Sequence, residues 1–522
     1  MRTFSSYGPI SVKTNYFAPR EELVDQIYRD LIGVEEGGGH YITIWAPRQT
    51  GKTWALMQVA DRIFEEKEFD LLMINVEILK DSENSQSVLQ GFVHILSDYL
   101  DISSFEITKW IELADIFTDK FFKKPVILII DEFDALDEKV INKFASVFRS
   151  IYNKIRSRSG GGASYMLHGL ALIGIRSVLG IENVKGSPFN VQRSVHIPNL
   201  TYDEVNAMFH SYIQESGQKI DQDVVDRLFT ETYGQPGLVS WFGELLTEKF
   251  NRNKNKSITM EEWGETYKRA LFTEPNNTIL NLISKASHPK YKGNVLELYR
   301  TDEKTDFSFR KVEHNYLYMN GIISYDDQKK IRFSSPFVQK CLFERFSDEI
   351  FDYVGVTMDP FTDLSGTVTE SALNIPKIID LYCLYLKKNS GWLFQDAPRR
   401  KDMQIFEAAY HFNLYRYLFD FLKTWNSQIF PEFPTGNGKI DLLIRHGGRL
   451  YALELKSYRN TAAYRKALVA AARYGDQLNL DTIYLLFFVE RIDEANRQKF
   501  EVDYKDQKAE VTVQVIFVVT RP

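Results

Sequence analysis

Two groups of residues, near opposite ends of the chain, have types and spacing suited to phosphate chemistry. The first is Ala46-Pro47-Arg48-Gln49-Thr50-Gly51-Lys52-Thr53, between a short β-rich run (His40 to Trp45) and a helical pattern. A turn that cradles a phosphate needs converging backbone N–H groups, a lysine for the β and γ oxygens and a hydroxyl for Mg²⁺. Gly51, Lys52 and Thr53 meet these demands, and Ala46, standing where the pattern has its first glycine, is small enough for the turn. Val126 to Ile130 is a continuous apolar run ending in Asp131-Glu132. A carboxylate at such a strand end can support Mg²⁺, and its neighbour can orient an attacking water.

The second group is Asp441, Glu454 and Lys456. Phosphodiester hydrolysis needs a metal to activate water and offset developing charge, carboxylates to hold the metal, and a cation beside them. Strand alternation puts Glu454 and Lys456 on one face, with Leu453 and Leu455 on the other. Asp441 precedes the turn signal His446-Gly447-Gly448, so hairpin pairing brings it alongside Glu454. Glu407 shares a helical face with Met403, Tyr410 and Leu414, an unusual setting for a carboxylate unless it points into a site. His411, one turn later, could approach that metal site, with a buried, hydrogen-bonded histidine the simpler reading. The expected metal-holding groups are Thr53 and Asp131 at the first centre, and Asp441 and Glu454 at the second.

The elements that position these residues follow from periodicity. His40–Trp45, Leu71–Val76, Pro125–Ile130 and Leu170–Ile175 read as strands, with a helix over Lys52–Glu65. Short apolar strands alternating with helices predict a parallel sheet covered on both faces. From Thr201, which with Glu204 makes a capping box, the pattern turns helical. A helix over Phe309–Met319 and strands over Gly321–Tyr325 and Lys330–Phe333 have the order of a winged helix. Its Arg310, Lys311, His314, Lys329, Lys330 and Arg332 could meet a DNA backbone, with packing on the nucleotide domain as a moving switch the simpler reading. Asp359–Ser371, rich in Pro, Gly, Ser and Thr, reads as a linker. The remainder reads as a helix over Asp402–Trp425, strands over Lys439–Arg445 and Leu450–Lys456, a helix over Thr461–Gln477, and strands over Thr482–Val489 and Val511–Val519. That is α-β-β-α-β with an added strand.

Composition sets the class. A chain of 522 residues exceeds what one core supports. No apolar run reaches membrane-spanning length and no signal-peptide core stands at the start, so a cytoplasmic location without membrane attachment is expected. Cys341 and Cys383 have no metal-ligand spacing and read as unpaired thiols. With a net charge of −6, nucleic-acid contact would need a local basic surface. Arg149, Arg156 and Arg158, before Gly160-Gly161-Gly162, could act across a subunit interface or touch nucleic acid, with a basic solvated loop the simpler reading.

The stretch from about Gly8 to Phe346 resembles the AAA-like and STAND-type P-loop ATPases. The resemblance rests on Tyr16-Phe17-Ala18-Pro19-Arg20-Glu21, the Ala46–Thr53 loop, Asp131-Glu132-Phe133-Asp134, Ser187-Pro188-Phe189-Asn190 and Gly234-Gln235-Pro236. It implies ATP and Mg²⁺ as cofactors, with Lys52 and Thr53 on phosphate and Mg²⁺, Asp131 supporting Mg²⁺ and Glu132 activating water. It also implies a phosphate sensor at Arg176 and a nucleotide-contacting lid turn at Pro236. From about Lys401 to Thr520 the chain resembles the PD-(D/E)xK nuclease superfamily, on Asp441, Glu454, Lys456 and the helical acid Glu407. That resemblance implies DNA as partner and Mg²⁺, or Mn²⁺, at the cutting site. Tyr474 and Gln477 could position DNA there, with packing and solvent exposure the simpler reading. Together these give an α/β multidomain chain. A P-loop core (1–200) is followed by a helical lid (201–275), a winged helix (276–350), a linker or adaptor (351–395) and a restriction-endonuclease-like α/β domain (396–522). The expected function is an ATP-controlled DNA endonuclease, in phage or plasmid defence or mobile-element biology, able to form homo-oligomers. The alternative is an ATPase whose C-terminal domain only binds nucleic acid or a partner.

Overall fold

The computed structural model describes residues 1–6, 8, 10–33, 39–102, 105–156, 164–174, 192–299, 305–357, 362–399, 405–425, 427–434, 439–506 and 508–520. Its contacts divide the chain into two compact units. One is Met1–Thr278 with Ser308–Ile322, and the other is Ile279–Phe307 with Ile323–Pro522.

Five parallel strands organise the first unit: β1 (Tyr41–Trp45), β2 (Asp70–Asn75), β3 (Val126–Asp131), β4 (Leu167–Gly174) and β5 (Gln192–His196), ordered β2-β3-β4-β1-β5. β3 is buried along its whole length. Leu128 and Ile130 pack on one face with Phe92 and Phe144, while Ile127 and Ile129 pack on the other with Leu56 and Val59. Alternation of side chains explains the split, and cover on both faces explains why the run has no polar positions. The four expected strands form with shifted ends. β5 was not expected, because Gln192-Arg193-Ser194-Val195-His196 has little apolar character; it lies at the sheet edge, beside β1.

The helix after β1 spans Lys52–Glu66. Helices Tyr202–Ser216, Gln222–Thr232, Pro236–Glu244 and Met260–Phe272 follow the sheet. The capping box at Thr201 forms: Thr201 Oγ1 accepts the Glu204 N–H at 3.2 Å, and Glu204 Oε2 accepts the Thr201 N–H at 2.8 Å. Arg149 and Arg156 belong to the helix Glu138–Arg156, with Arg156 over the Tyr152 ring, so they are not loop residues; Arg158 lies outside the described residues. The next helix forms as Val312–Met319, within the first unit. His314, one of the candidate DNA contacts, is buried, and its Nδ1 accepts the Ser308 N–H at 3.3 Å.

In the second unit, β6 (Ile323–Tyr325) and β7 (Ile331–Phe333) make the expected hairpin. A six-stranded mixed sheet contains β8 (Gln428–Pro434), β9 (Lys439–His446), β10 (Arg449–Ser457), β11 (Thr482–Val489), β12 (Tyr504–Lys505) and β13 (Thr512–Val519). The order is β12-β13-β11-β10-β9-β8. β8, β9 and β10 pair antiparallel, whereas β10, β11 and β13 pair parallel. Gly447 and Gly448 both have positive φ, 55° and 77°, as a two-residue hairpin turn between His446 and Arg449 demands. The helix Thr461–Gln477 connects β10 to β11.

Three expectations need correction here. The long helix begins at Glu407 and ends at Leu422, with Met403 outside the described residues. β8 escaped notice because Pro431 and Pro434 argue against a strand; it sits at a sheet edge, where a missing N–H costs least. The described part of the expected 359–371 linker is packed against the β9–β10 hairpin. His446 Nε2 donates to the Thr369 carbonyl at 2.6 Å, and the Leu373 N–H donates to the Tyr451 hydroxyl at 2.9 Å. Helix Ile375–Asn389 then buries Ile378, Ile379 and Tyr382. Among the described residues no helix is long and apolar enough to cross a membrane.

Candidate functional site

In the first unit, β1 delivers the chain into the Ala46–Thr53 loop, and Gly51, at φ 84°, turns it into the helix. Lys52 Nζ donates to the carbonyls of Ala46 and Pro47, at 2.9 Å each. Burial lowers the Lys52 pKa, with Glu132, Asp134 and Asp131 pulling the other way. Thr53 Oγ1 donates to Asp131 Oδ2 at 3.1 Å, which joins the loop to the end of β3. Asp131 Oδ1 accepts the Glu132 N–H at 2.9 Å and holds Glu132 in a left-handed conformation, φ 54°. Burial, then the charges of Asp131 and Asp134, raises the Glu132 pKa. A carboxyl of raised proton affinity beside a hydroxyl–carboxylate pair is chemically suited to accept a proton from water.

Arg20, Gln49 and Gln235 stand in the motifs quoted above, but their role in clamping this loop was not legible in the sequence. Arg20, buried and left-handed at φ 58°, donates through Nη2 to Pro198 O at 2.7 Å and through Nη1 to Thr50 O at 3.4 Å. Gln49, also left-handed at φ 57°, accepts the Gly237 N–H on its carbonyl at 3.0 Å. Gln235 Nε2 donates to the carbonyls of Arg48 and Gln49, at 3.2 and 3.3 Å. Thus Pro236 opens its helix between two residues that bind the loop. Left-handed non-glycine residues cost about 1–3 kcal/mol each and persist only where surroundings over-determine them. Arg176 and the Ser187–Asn190 segment lie outside the described residues.

In the second unit, Asp441, Glu454 and Lys456 converge in the interior, at 1%, 1% and 7% exposure. Lys456 Nζ donates to Glu454 Oε1 at 2.6 Å and lies 3.6 Å from Asp441 Oδ2. Asp441 stands one register step beyond the Leu442–Leu453 pair, opposite Glu454, and one step beyond Pro431–Leu442, opposite Glu432. Glu432, Asp441 and Glu454 therefore form a row across β8, β9 and β10. Burial, then the Asp441 charge, raises the Glu454 pKa against the pull of Lys456. Burial also raises Glu432, opposed by Lys439. Asp441 is held below its ordinary value: burial works upward, and Lys456 leads the groups that overcome it.

Glu407 is the first residue of its helix and accepts the Ser457 N–H through Oε2 at 2.9 Å, so it caps the end of β10. The reading of His411 as a satisfied histidine is corrected. It is 1% exposed, neither ring nitrogen has a hydrogen-bond partner, and burial pushes its pKa down to about 4. Tyr474 packs in the core between the sheet and the helix Thr461–Gln477. Glu432 was missed altogether, because its strand was missed.

Residues 5–262 match the AAA-like domain family. Among solved structures, the chain is similar to a Walker-type ATPase of Pyrococcus abyssi (13% identity, TM-score 0.43, covering 65% of this chain and 99% of that one). It is also similar to Cdc6p from Pyrobaculum aerophilum (15%, 0.37, 66% and 97%) and to a chain of Drosophila ORC bound to DNA (14%, 0.36, 64% and 88%). No curated protein matches. The parallel sheet and the loop that Thr53 ties to Asp131 both fall inside the residues that match the AAA-like domain family.

Proposed function

We propose that the chain is an ATP-binding and ATP-hydrolysing switch whose nucleotide state controls a C-terminal metal-dependent DNA endonuclease. In this reading Lys52 exchanges its loop carbonyls for the β and γ phosphates, Thr53 and Asp131 hold Mg²⁺, and Glu132 takes the proton from water. The Gln49–Gly237 and Gln235 contacts carry the loop's state into the lid, through the turn that contains Pro236. Arg176 is retained as the phosphate sensor.

One observation carries the nuclease half: Asp441, Glu454 and Lys456 meet in one buried cluster, with Asp441 Oδ1 and Glu454 Oε2 lacking hydrogen-bond partners. Buried carboxylate oxygens without partners fit a divalent cation, and Asp441 and Glu454 would hold Mg²⁺ or Mn²⁺. Such an ion supplies charge stabilisation and lowers the pKa of water. Lys456 would orient the attacking water and offset charge on the phosphate. Glu407 would fix the end of β10 that carries Lys456. DNA is the proposed substrate, homo-oligomers the assembled form and defence the biological setting.

The test is plasmid cleavage by the full chain with Mg²⁺ or Mn²⁺, with and without ATP. Cutting that survives Asp441→Ala rejects the cleavage site, and cutting unchanged by Lys52→Ala rejects nucleotide control. The second reading, ATP turnover beside a C-terminal domain that only binds nucleic acid or a partner, is favoured by the near-complete burial of Glu454 and Lys456. It predicts hydrolysis of ATP with no nicking under any metal condition.

A further inference from the structure

We infer that the second unit holds a transition-metal cation, Mn²⁺ or Zn²⁺, between His411, Glu432 and Asp441, at a position distinct from the Asp441–Glu454 pair. One ligand atom from each of these residues lies within 4.8 Å of the others, and all three residues are buried. His411 Nδ1 is 3.9 Å from Asp441 Oδ1.

Each of the three residues has a side-chain atom without a hydrogen-bond partner. Glu432 Oε2 is held by Lys439 and by Gln339 Nε2, the latter at 2.6 Å, which leaves Oε1 without a partner. Asp441 Oδ2 accepts the Leu455 N–H at 2.7 Å, which leaves Oδ1 without a partner. Both His411 nitrogens are unsatisfied. Anchoring one oxygen and presenting the other is what orients carboxylates toward an ion. An imidazole without a partner, 1% exposed and aimed at this gap, is the independent sign that something is bound there. Charge agrees in sign: among the described residues the carboxylates Glu432, Asp441 and Glu454 lie with Lys439 and Lys456, so acidic groups outnumber the cations named at the cluster.

The donor set selects the metal. Imidazole nitrogen with two carboxylates suits Mn²⁺ or Zn²⁺, whereas Mg²⁺ and Ca²⁺ prefer oxygen alone. Glu454 is not one of the three residues whose ligand atoms lie within 4.8 Å of one another. Glu432 is brought in by its left-handed backbone, φ 54°, at the edge of the sheet.

The inference shares Asp441 with the cleavage reading but does not depend on cleavage. The experiment is Mn²⁺ titration of the metal-stripped full chain, followed by electron paramagnetic resonance, with Zn²⁺ as competitor. His411→Gln and Glu432→Gln should each weaken Mn²⁺ binding at this site at least about tenfold, whereas Glu454→Gln should remove only Mn²⁺ held at the Asp441–Glu454 pair and leave the imidazole-coordinated ion in place. Wild-type binding that only Glu454→Gln weakens would overturn this site and leave the cleavage reading standing. Binding that needs His411 and Glu432, with no plasmid nicking, would do the reverse. Should either variant fail to fold, the wild-type spectrum with ¹⁵N-histidine decides: a directly coordinated imidazole nitrogen is expected, and its absence overturns the proposal.

Discussion

Asp441 ties β9 to β10 with its side chain, since its Oδ2 accepts the Leu455 backbone N–H at 2.7 Å. One carboxylate oxygen thus serves the backbone while the other faces His411. Asp441→Asn keeps an acceptor for Leu455 and removes the charge. Asp441→Ala removes both and strands a buried N–H, at a cost of about 1–3 kcal/mol. Both variants should lose plasmid nicking, but only the alanine variant should show a clearly lower urea midpoint.

Lys456 is buried between Glu454 and Asp441. Burial opposes its charge, and the two carboxylates more than offset that, raising its pKa. Replacing one partner of a buried ion pair leaves the other uncompensated, which costs about 3–5 kcal/mol. Lys456→Met should therefore lower stability by that order in the metal-free chain, measured by urea unfolding. Lys456→Met combined with Glu454→Leu should recover part of the loss.

Gly237 has no room for a side chain. A Cβ there would stand 2.5 Å from Gln49 Oε1 and 2.7 Å from Gln49 Cβ. Gly237→Ala should displace Gln49, with an overpacking cost of about 1–3 kcal/mol. Because Gln49 lies inside the phosphate loop, affinity for a fluorescent ATP analogue should fall roughly tenfold, the equivalent of about 1.4 kcal/mol. Affinity equal to wild type would separate the lid turn from the nucleotide site.

Burial raises the Glu344 carboxyl from 4.5 to about 7, although the Tyr415 hydroxyl, which donates to it at 2.5 Å, favours the charged form. An acid whose pKa is higher in the folded chain binds its proton more tightly there. Its contribution to stability is therefore present at low pH, declines from about pH 4.5 and is lost above about pH 7. Glu344→Gln should flatten that slope. Urea midpoints at pH 5 and pH 8 test this: wild type should lose more stability across the interval than the variant.

Much of the nucleotide half was legible because its signals are local. An apolar run long enough for one strand, a glycine before Lys52-Thr53, and a carboxylate pair ending β3 each depend on neighbours in sequence. The sequence alone likewise determined the His446–Arg449 hairpin, through two glycines that can take positive φ, and the alternation that puts Glu454 and Lys456 together. Tertiary structure decided the rest. Arg20 reaches Thr50 and Pro198, 30 and 178 residues away, only once the segments that carry them fold together. Glu432 joins Asp441 only through cross-strand register, on an edge strand whose two prolines hide it. His411 is left without a hydrogen-bond partner by the walls that close around it, and no spacing along the chain encodes which polar atoms burial leaves unsatisfied.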